Sequence, residues 1–217
     1  MPRFGYRLAI SGILAFVGLA SSAALAAAAT KGYWEISANG SYFKVNNGIL
    51  DGEQSRTTTI KFGGGLAYRF AGSTSIEFAY VHSKVRDRFG QNISGQPEIY
   101  FIDRRTSFEN YSMNLVLNFS DRKSTFRPYI RGGGGYMVRK ARFAGTAKNR
   151  FDLTTRKLSF ATVPTSYSVS ADGGLGFSLF VLDQIALDFS YTVYATDLDK
   201  PQVFLHYSVA GGLRFVF

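Results

Sequence analysis

The most constraining feature of this chain is the pattern of residues 205–217. Read with a period of two, Leu205, Tyr207, Val209, Gly211, Leu213, Phe215 and Phe217 share one face, and His206, Ser208, Ala210, Gly212, Arg214 and Val216 share the other. Successive side chains of a β-strand point to opposite faces, whereas helical spacing would mix these two sets. Soluble sheets mostly use strands of about five or six residues. A tilted strand needs roughly 9–11 residues to cross the hydrocarbon of a bilayer. The segment therefore predicts a long strand, either in a membrane or at the edge of an unusually deep soluble sheet.

Seven more strands follow the same rule. The first, from Tyr33, sets Trp34, Ile36, Ala38, Gly40 and Tyr42 against Glu35, Ser37, Asn39 and Ser41. Others begin near Ile60, Ile76, Asn110, Phe126, Tyr167 and Ile185, each with an apolar face and a small or polar one. Pro128 stands at the start of the fifth, where a missing N–H is tolerated. Gly132 to Gly135 in that strand lack the Lys-Ser/Thr and the following helix of a nucleotide-binding loop. An even count of eight lets an up-and-down antiparallel sheet close on itself.

Loop length separates two ends. Connections over 71–73, 121–124 and 181–184 are short, whereas 46–55, 87–104, 140–163 and 195–202 read as long loops. Both chain ends fall on the short side. That segregation is the layout of a membrane barrel, and a soluble meander has no need of it. If so, the apolar faces point outward, with Trp34, Tyr42, Tyr68, Phe119, Tyr136, Tyr167, Tyr207 and Phe217 forming two interfacial girdles. The polar faces then meet in a lumen only wide enough for side chains. Glu35, Lys61, Arg69, Glu77, Arg131, Asp172, Asp188 and Arg214 are placed there, acids and bases in equal number. Glycines on this face are expected to make room for long Arg and Tyr side chains.

The start of the chain reads differently. Arg3 and Arg7 precede an apolar run over 8–19, and 21–30 are small residues with Ala-x-Ala sites. This is the order of a secretory signal peptide over 1–29, cleaved between about 26 and 30. A single barrel domain over 30–217 is then expected. The chain has no Cys and 2 His, so neither a disulfide framework nor a metal cluster is expected, and no cofactor is called for. The net charge of +10 has no compact basic helix behind it, which argues against a nucleic-acid partner.

From about residue 33 to 217 the chain resembles small eight-stranded outer-membrane barrels of the kind found in outer membrane protein A and the opacity proteins. The residues that carry the resemblance are the Pro128-Tyr129 entry to the glycine-rich strand and the terminal Phe215-Val216-Phe217. It implies an all-β, eight-stranded antiparallel transmembrane β-barrel in the bacterial outer membrane. It also implies that Phe215 and Phe217 act as the assembly signal read by the barrel-assembly machinery. Members include adhesins, membrane-stabilising proteins, narrow channels and a few lipid A-modifying enzymes.

The expected function is a structural or surface-interaction role with a closed, ion-paired lumen and no catalysis. A narrow porin-like channel for small solutes is the alternative, and a lipid A-modifying esterase is the third. The third rests on His206 and Ser208, which sit at i and i+2 on one strand face as a base and a nucleophile could. Expected partners are outer-membrane lipid and lipopolysaccharide, together with an extracellular ligand whose chemistry the sequence leaves open. The loop over 140–163 and its approach carry Arg139, Lys140, Arg142, Lys148, Arg150, Arg156 and Lys157 against the single acid Asp152. Arg139, Lys140 and Arg142, nearest the strand end, are the lipopolysaccharide-contact candidates, since Arg and Lys suit phosphate.

Overall fold

The computed structural model describes residues 32–217 apart from 51–52, 71–72, 93–97, 122–123, 150, 152–153 and 161–162. The strands are β1 (Tyr33–Leu50), β2 (Glu53–Arg69), β3 (Thr74–Asn92), β4 (Glu98–Asn118), β5 (Phe126–Asn149), β6 (Thr155–Leu158), β7 (Ser166–Leu182), β8 (Ile185–Thr196) and β9 (Phe204–Val216). They form one sheet in the order β4-β3-β2-β1-β9-β8-β7-β5, and pairing of β4 with β5 closes it into a barrel of eight staves. Every pairing is antiparallel. The short β6 pairs only with the far end of β5 and stands outside the barrel count. The signal-peptide expectation for 1–29 lies outside the described residues.

Orientation follows from exposure. All eight girdle aromatics named from the sequence are exposed, and so are Phe78, Met113, Leu175 and Val209 between them. The interior is polar: Glu35, Arg69, Asn114, Ser170, Ser178 and Thr192 are all buried. This is the inversion required in hydrocarbon, where closed pairing satisfies the backbone and apolar side chains face lipid.

Two expectations need correcting. The sequence reads 46–55, 87–104 and 140–163 as loops, yet strands run through most of each. β3 and β4 stay in register up to Asn92↔Ile99, and β4 and β5 up to Glu98↔Asn149. Above the membrane both strand faces meet water, so no apolar alternation marks these extensions. Inward glycines, moreover, mostly serve close backbone approach. A Cβ on Gly212 would stand 2.0 Å from the Ala38 carbonyl oxygen. Gly176 does make room for a side chain, since a Cβ there would lie 2.5 Å from the Tyr129 hydroxyl.

One seam differs from the rest. β1 and β9 share six residue pairs, from Glu35↔Val216 to Gly40↔Gly211. The other seven barrel seams share between eleven, at β7–β8, and twenty-one, at β4–β5.

Candidate functional site

The lumen divides into a packed lower half and an open upper half. In the lower half Glu35 of β1 lies between two arginines. Arg214 Nη1 donates a hydrogen bond to it at 2.9 Å, and Arg69 Nη2 stands 3.0 Å from its other oxygen as an ion contact. Arg214 also reaches Asp188 at 3.0 Å. Asp188 in turn accepts hydrogen bonds from the Tyr129 hydroxyl at 2.9 Å and the Ser178 hydroxyl at 2.7 Å. Aromatic faces complete the packing, with the Arg69 guanidinium 5.2 Å from the Tyr33 ring and that of Arg214 5.0 Å from Tyr129. Side chains of Glu35 and Arg69 are 2% exposed, so this chain of charges is desolvated and each member depends on the next.

One layer higher, Arg131 contacts Glu77 at 3.5 Å and donates to the Thr192 hydroxyl at 2.8 Å. Asp172 is buried within electrostatic reach of Arg131. Lys61 stands apart from these carboxylates: its Nζ donates to the Tyr207 carbonyl at 3.3 Å and lies 5.6 Å from the Tyr194 ring. The structure thus brings seven of the eight sequence-predicted lumen charges into the plug and sets Lys61 above it. Tyr33, Tyr129, Ser178 and Thr192 also belong to the plug and were missed. They sit on the same inward parity as the charges, which was the available signal.

Above the plug a cavity of about 1160 Å³ opens toward the extracellular end. Val81, Phe108, Met137, Arg139, Tyr194 and His206 are among its lining residues. His206 packs against Phe108, ring centroids 5.7 Å apart. His206 and Ser208 share the inward face, but among the described residues no hydrogen bond joins them.

The outer wall carries a second arrangement. Across β3, β4 and β5 the row Tyr80↔Tyr111↔Tyr136 marks the upper edge of the apolar belt. Three rows above it lie Arg86↔Arg105↔Arg142, directly opposite one another, flanked by Lys84, Arg88 and Lys140 on the neighbouring outward rows. Among the described residues two carboxylates answer these six cations. Asp103 pairs with Arg86, with Arg88 at 3.7 Å and with Arg105 at 3.3 Å, while Glu109 reaches Lys140 at 3.6 Å. Hydrogen bonding from Arg86 holds the Asp103 carboxyl below the usual range, against the opposing effect of burial.

This geometry splits the three lipopolysaccharide-contact candidates. Lys140 and Arg142 face outward, whereas Arg139 points into the lumen mouth, its guanidinium 5.9 Å from the Phe108 ring. The reason is parity: β5 continues as a strand through these positions, so neighbours alternate faces. Lys84, Arg86, Arg88 and Arg105 were missed because Arg88 falls in the expected loop over 87–104 and the other three flank it, where the apolar alternation has already stopped and no strand is expected before about Asn110. At the other end Phe217 is exposed, and its N–H donates to the Trp34 carbonyl at 2.9 Å, while Phe215 takes the outward side of β9.

No curated protein matches the chain. Among solved structures, the N-terminal β-barrel domain of Pseudomonas aeruginosa OprF aligns with a TM-score of 0.50 at 11% identity, over 86% of this chain and 97% of that one. Neisserial surface protein A (NspA) aligns with a TM-score of 0.45 at 13% identity, over 86% and 97%. The outer membrane protein beta-barrel domain family matches residues 12–210. With a closed eight-stave barrel, an apolar outer belt and a polar lumen already in place, the chain belongs to that family and is a β-barrel protein of the bacterial outer membrane.

Proposed function

We propose that the protein is a non-conducting surface barrel, held in the outer leaflet by its cationic wall and carrying out a structural or surface-interaction role. The observation that supports a closed lumen is the buried chain Arg69–Glu35–Arg214–Asp188, with Arg131–Glu77 above it. An ion moving through this half would have to separate desolvated pairs, and eight staves leave little width for it. Planar-bilayer recording of the refolded barrel tests this. Silence at moderate voltage is expected, and steady unitary openings would turn the reading to a narrow channel.

Docking to lipid phosphates is the surface part of the proposal. Like charges directly opposite on neighbouring strands repel. Arg86, Arg105 and Arg142 hold such positions just above the tyrosine row, and Asp103 pairs with the first two. Phosphate groups of lipopolysaccharide would relieve that repulsion by bidentate contacts. Lipopolysaccharide retained by purified barrel should fall for Arg105→Ala with Arg142→Ala and stay unchanged for Arg139→Ala. Equal retention by all three at low salt refutes this part. Recognition of Phe215 and Phe217 by the assembly machinery remains part of the same proposal.

A further inference from the structure

We infer that the upper lumen and the parted β1–β9 seam form a binding site for a single-chain anionic amphiphile, reached sideways from the outer leaflet. The seam is the first ground. Above Gly40↔Gly211, residues 204–210 of β9 pair with β8 alone, and residues 41–50 of β1 pair with β2 alone. Two strand edges therefore face each other without hydrogen bonds between them.

Depth makes this consequential. The parting begins at Tyr42 and Val209, both exposed on the lipid side, and below Tyr207, which stacks on Tyr191 in the upper aromatic row. It thus opens within the apolar belt. Open sheet edges do not stand in hydrocarbon; irregular backbone at that depth must line a wet or occupied cavity. Lys61 already serves one such group, its amine donating to the Tyr207 carbonyl on the edge that β1 has left.

The cavity passes through this gap. Its lining includes Lys61, Ser208 and Ala210 on the lumen side and Tyr42, Tyr207 and Val209 on the lipid side. At about 1160 Å³ it is somewhat larger than the usual ligand pocket, with room for a long chain. The plug lies beneath, so exchange runs through the mouth or the seam.

The lining chooses the ligand. Phe43, Val81, Val85, Phe108 and Met137 give it apolar walls. Phe43 has lumen-side parity yet is 61% exposed, a large apolar surface for an acyl chain to cover. Of the cations in the lining, Arg104 is paired with Asp87 at 2.6 Å. Lys61 and Arg139 have no carboxylate within ion-pair distance among the described residues. Both line the same cavity as His206 and lie within its electrostatic reach, as does Asp197, which Lys200 already pairs. A tail on the apolar wall with an anionic head between Lys61 and Arg139 satisfies both halves.

The absence of cysteine allows a direct test. Ser41 and Ala210 occupy the next rung above the last seam pair, so Ser41→Cys with Ala210→Cys can close the gap on oxidation. The probe is dansyl-undecanoic acid, offered either dissolved or preloaded in phosphatidylcholine vesicles holding the barrel. Saturable binding is expected, weakened about tenfold by Lys61→Ala with Arg139→Ala, the worth of one charge-assisted hydrogen bond. The methyl ester of the probe should not distinguish parent from this variant. Oxidising the cysteine pair should slow uptake of vesicle-held probe, and reductant should restore it. Unsaturable binding, or binding indifferent to the two cations, overturns the site. Uptake from vesicles unchanged by the cross-link overturns the lateral route. Neither outcome depends on bilayer conductance, so the closed-lumen reading stands or falls separately.

Discussion

The plug and the extracellular rim are built from the same residue types, and the contrast between them separates what holds this barrel from what decorates it. In the plug, Arg69 and Glu35 are 2% exposed, and Arg214 is shared by two carboxylates. On the rim, Arg105 is 63% exposed and Arg156 61%, each over a carboxylate that water also reaches. Distances are alike, 2.9–3.0 Å for the Glu35 pairs and 2.7 Å for Arg156–Glu98. Burial, not geometry, sets the difference. Removing one member of a desolvated pair strands the other charge at about 3–5 kcal/mol. Removing a member of an exposed pair costs about 0–1 kcal/mol, because solvent takes its place.

The largest test is Arg214→Ala. It strands Asp188 and leaves Glu35 with Arg69 alone, and the Tyr129 and Ser178 hydroxyls then face a carboxylate with no cation. Barrel stability in urea titration from lipid vesicles should drop by about 3–5 kcal/mol, and vesicles should leak ions. A variant as stable and as tight as the parent would show that plug and rim are energetically equivalent, and the closed-lumen proposal would lose its support.

A second test uses shape in place of charge. Gly176→Ala inserts a methyl 2.5 Å from the Tyr129 hydroxyl and 2.5 Å from the Phe189 carbonyl oxygen. Overpacking of this kind costs about 1–3 kcal/mol, and displacing Tyr129 also disturbs Asp188. Gly134→Ala is the control, since its Cβ would find its nearest neighbour at an ordinary 3.6 Å. Equal stability of the two variants would mean the plug yields easily, and would blur its contrast with the rim.

The two regions were not equally legible in the sequence. Glu35, Glu77, Asp188 and Arg214 announced themselves because each interrupts an otherwise apolar strand at even spacing, which a one-sided membrane strand enforces. Register and pairing were hidden, since which carboxylate meets Arg214 depends on the shear of the closed barrel. Tyr129 shares the inward parity of Arg131, but nothing in the sequence said that its hydroxyl would meet Asp188. The rim was nearly illegible. From Lys84 to Arg88 and from Asp103 to Arg105 both faces carry charge, with Val85 alone apolar, so the period of two carries little hydropathy contrast. Residues expected in loops turned out to be strand, and the Arg86, Arg105, Arg142 row appeared only with the β3–β4–β5 register.

The smallest effect is the one that best isolates the rim. Asp103 is held below its ordinary value of 3.8 by the hydrogen bond from Arg86, and Glu98 below 4.5 by the hydrogen bond from Arg156, with burial opposing in both. A carboxylate whose folded value is depressed stabilises the fold above its unfolded value and loses that contribution as pH falls through the folded one. Order in the upper β3–β4 ladder should therefore be constant from pH 7 to near 4.5 and fall below that. For the half-exposed Arg86–Asp103 pair the loss is about 0–1 kcal/mol after screening, and added salt should shrink it further. Amide exchange over 84–89 and 98–105 reads it locally, while urea unfolding of the whole barrel should not register the double variant Arg86→Ala with Arg156→Ala. That variant should exchange faster at neutral pH and lose its acid dependence. If it kept the same acid-driven opening as the parent, the titrating groups would lie elsewhere. If it lowered global stability as much as Arg214→Ala, rim pairs would hold the barrel together as the plug does, and burial would not be the variable that separates them.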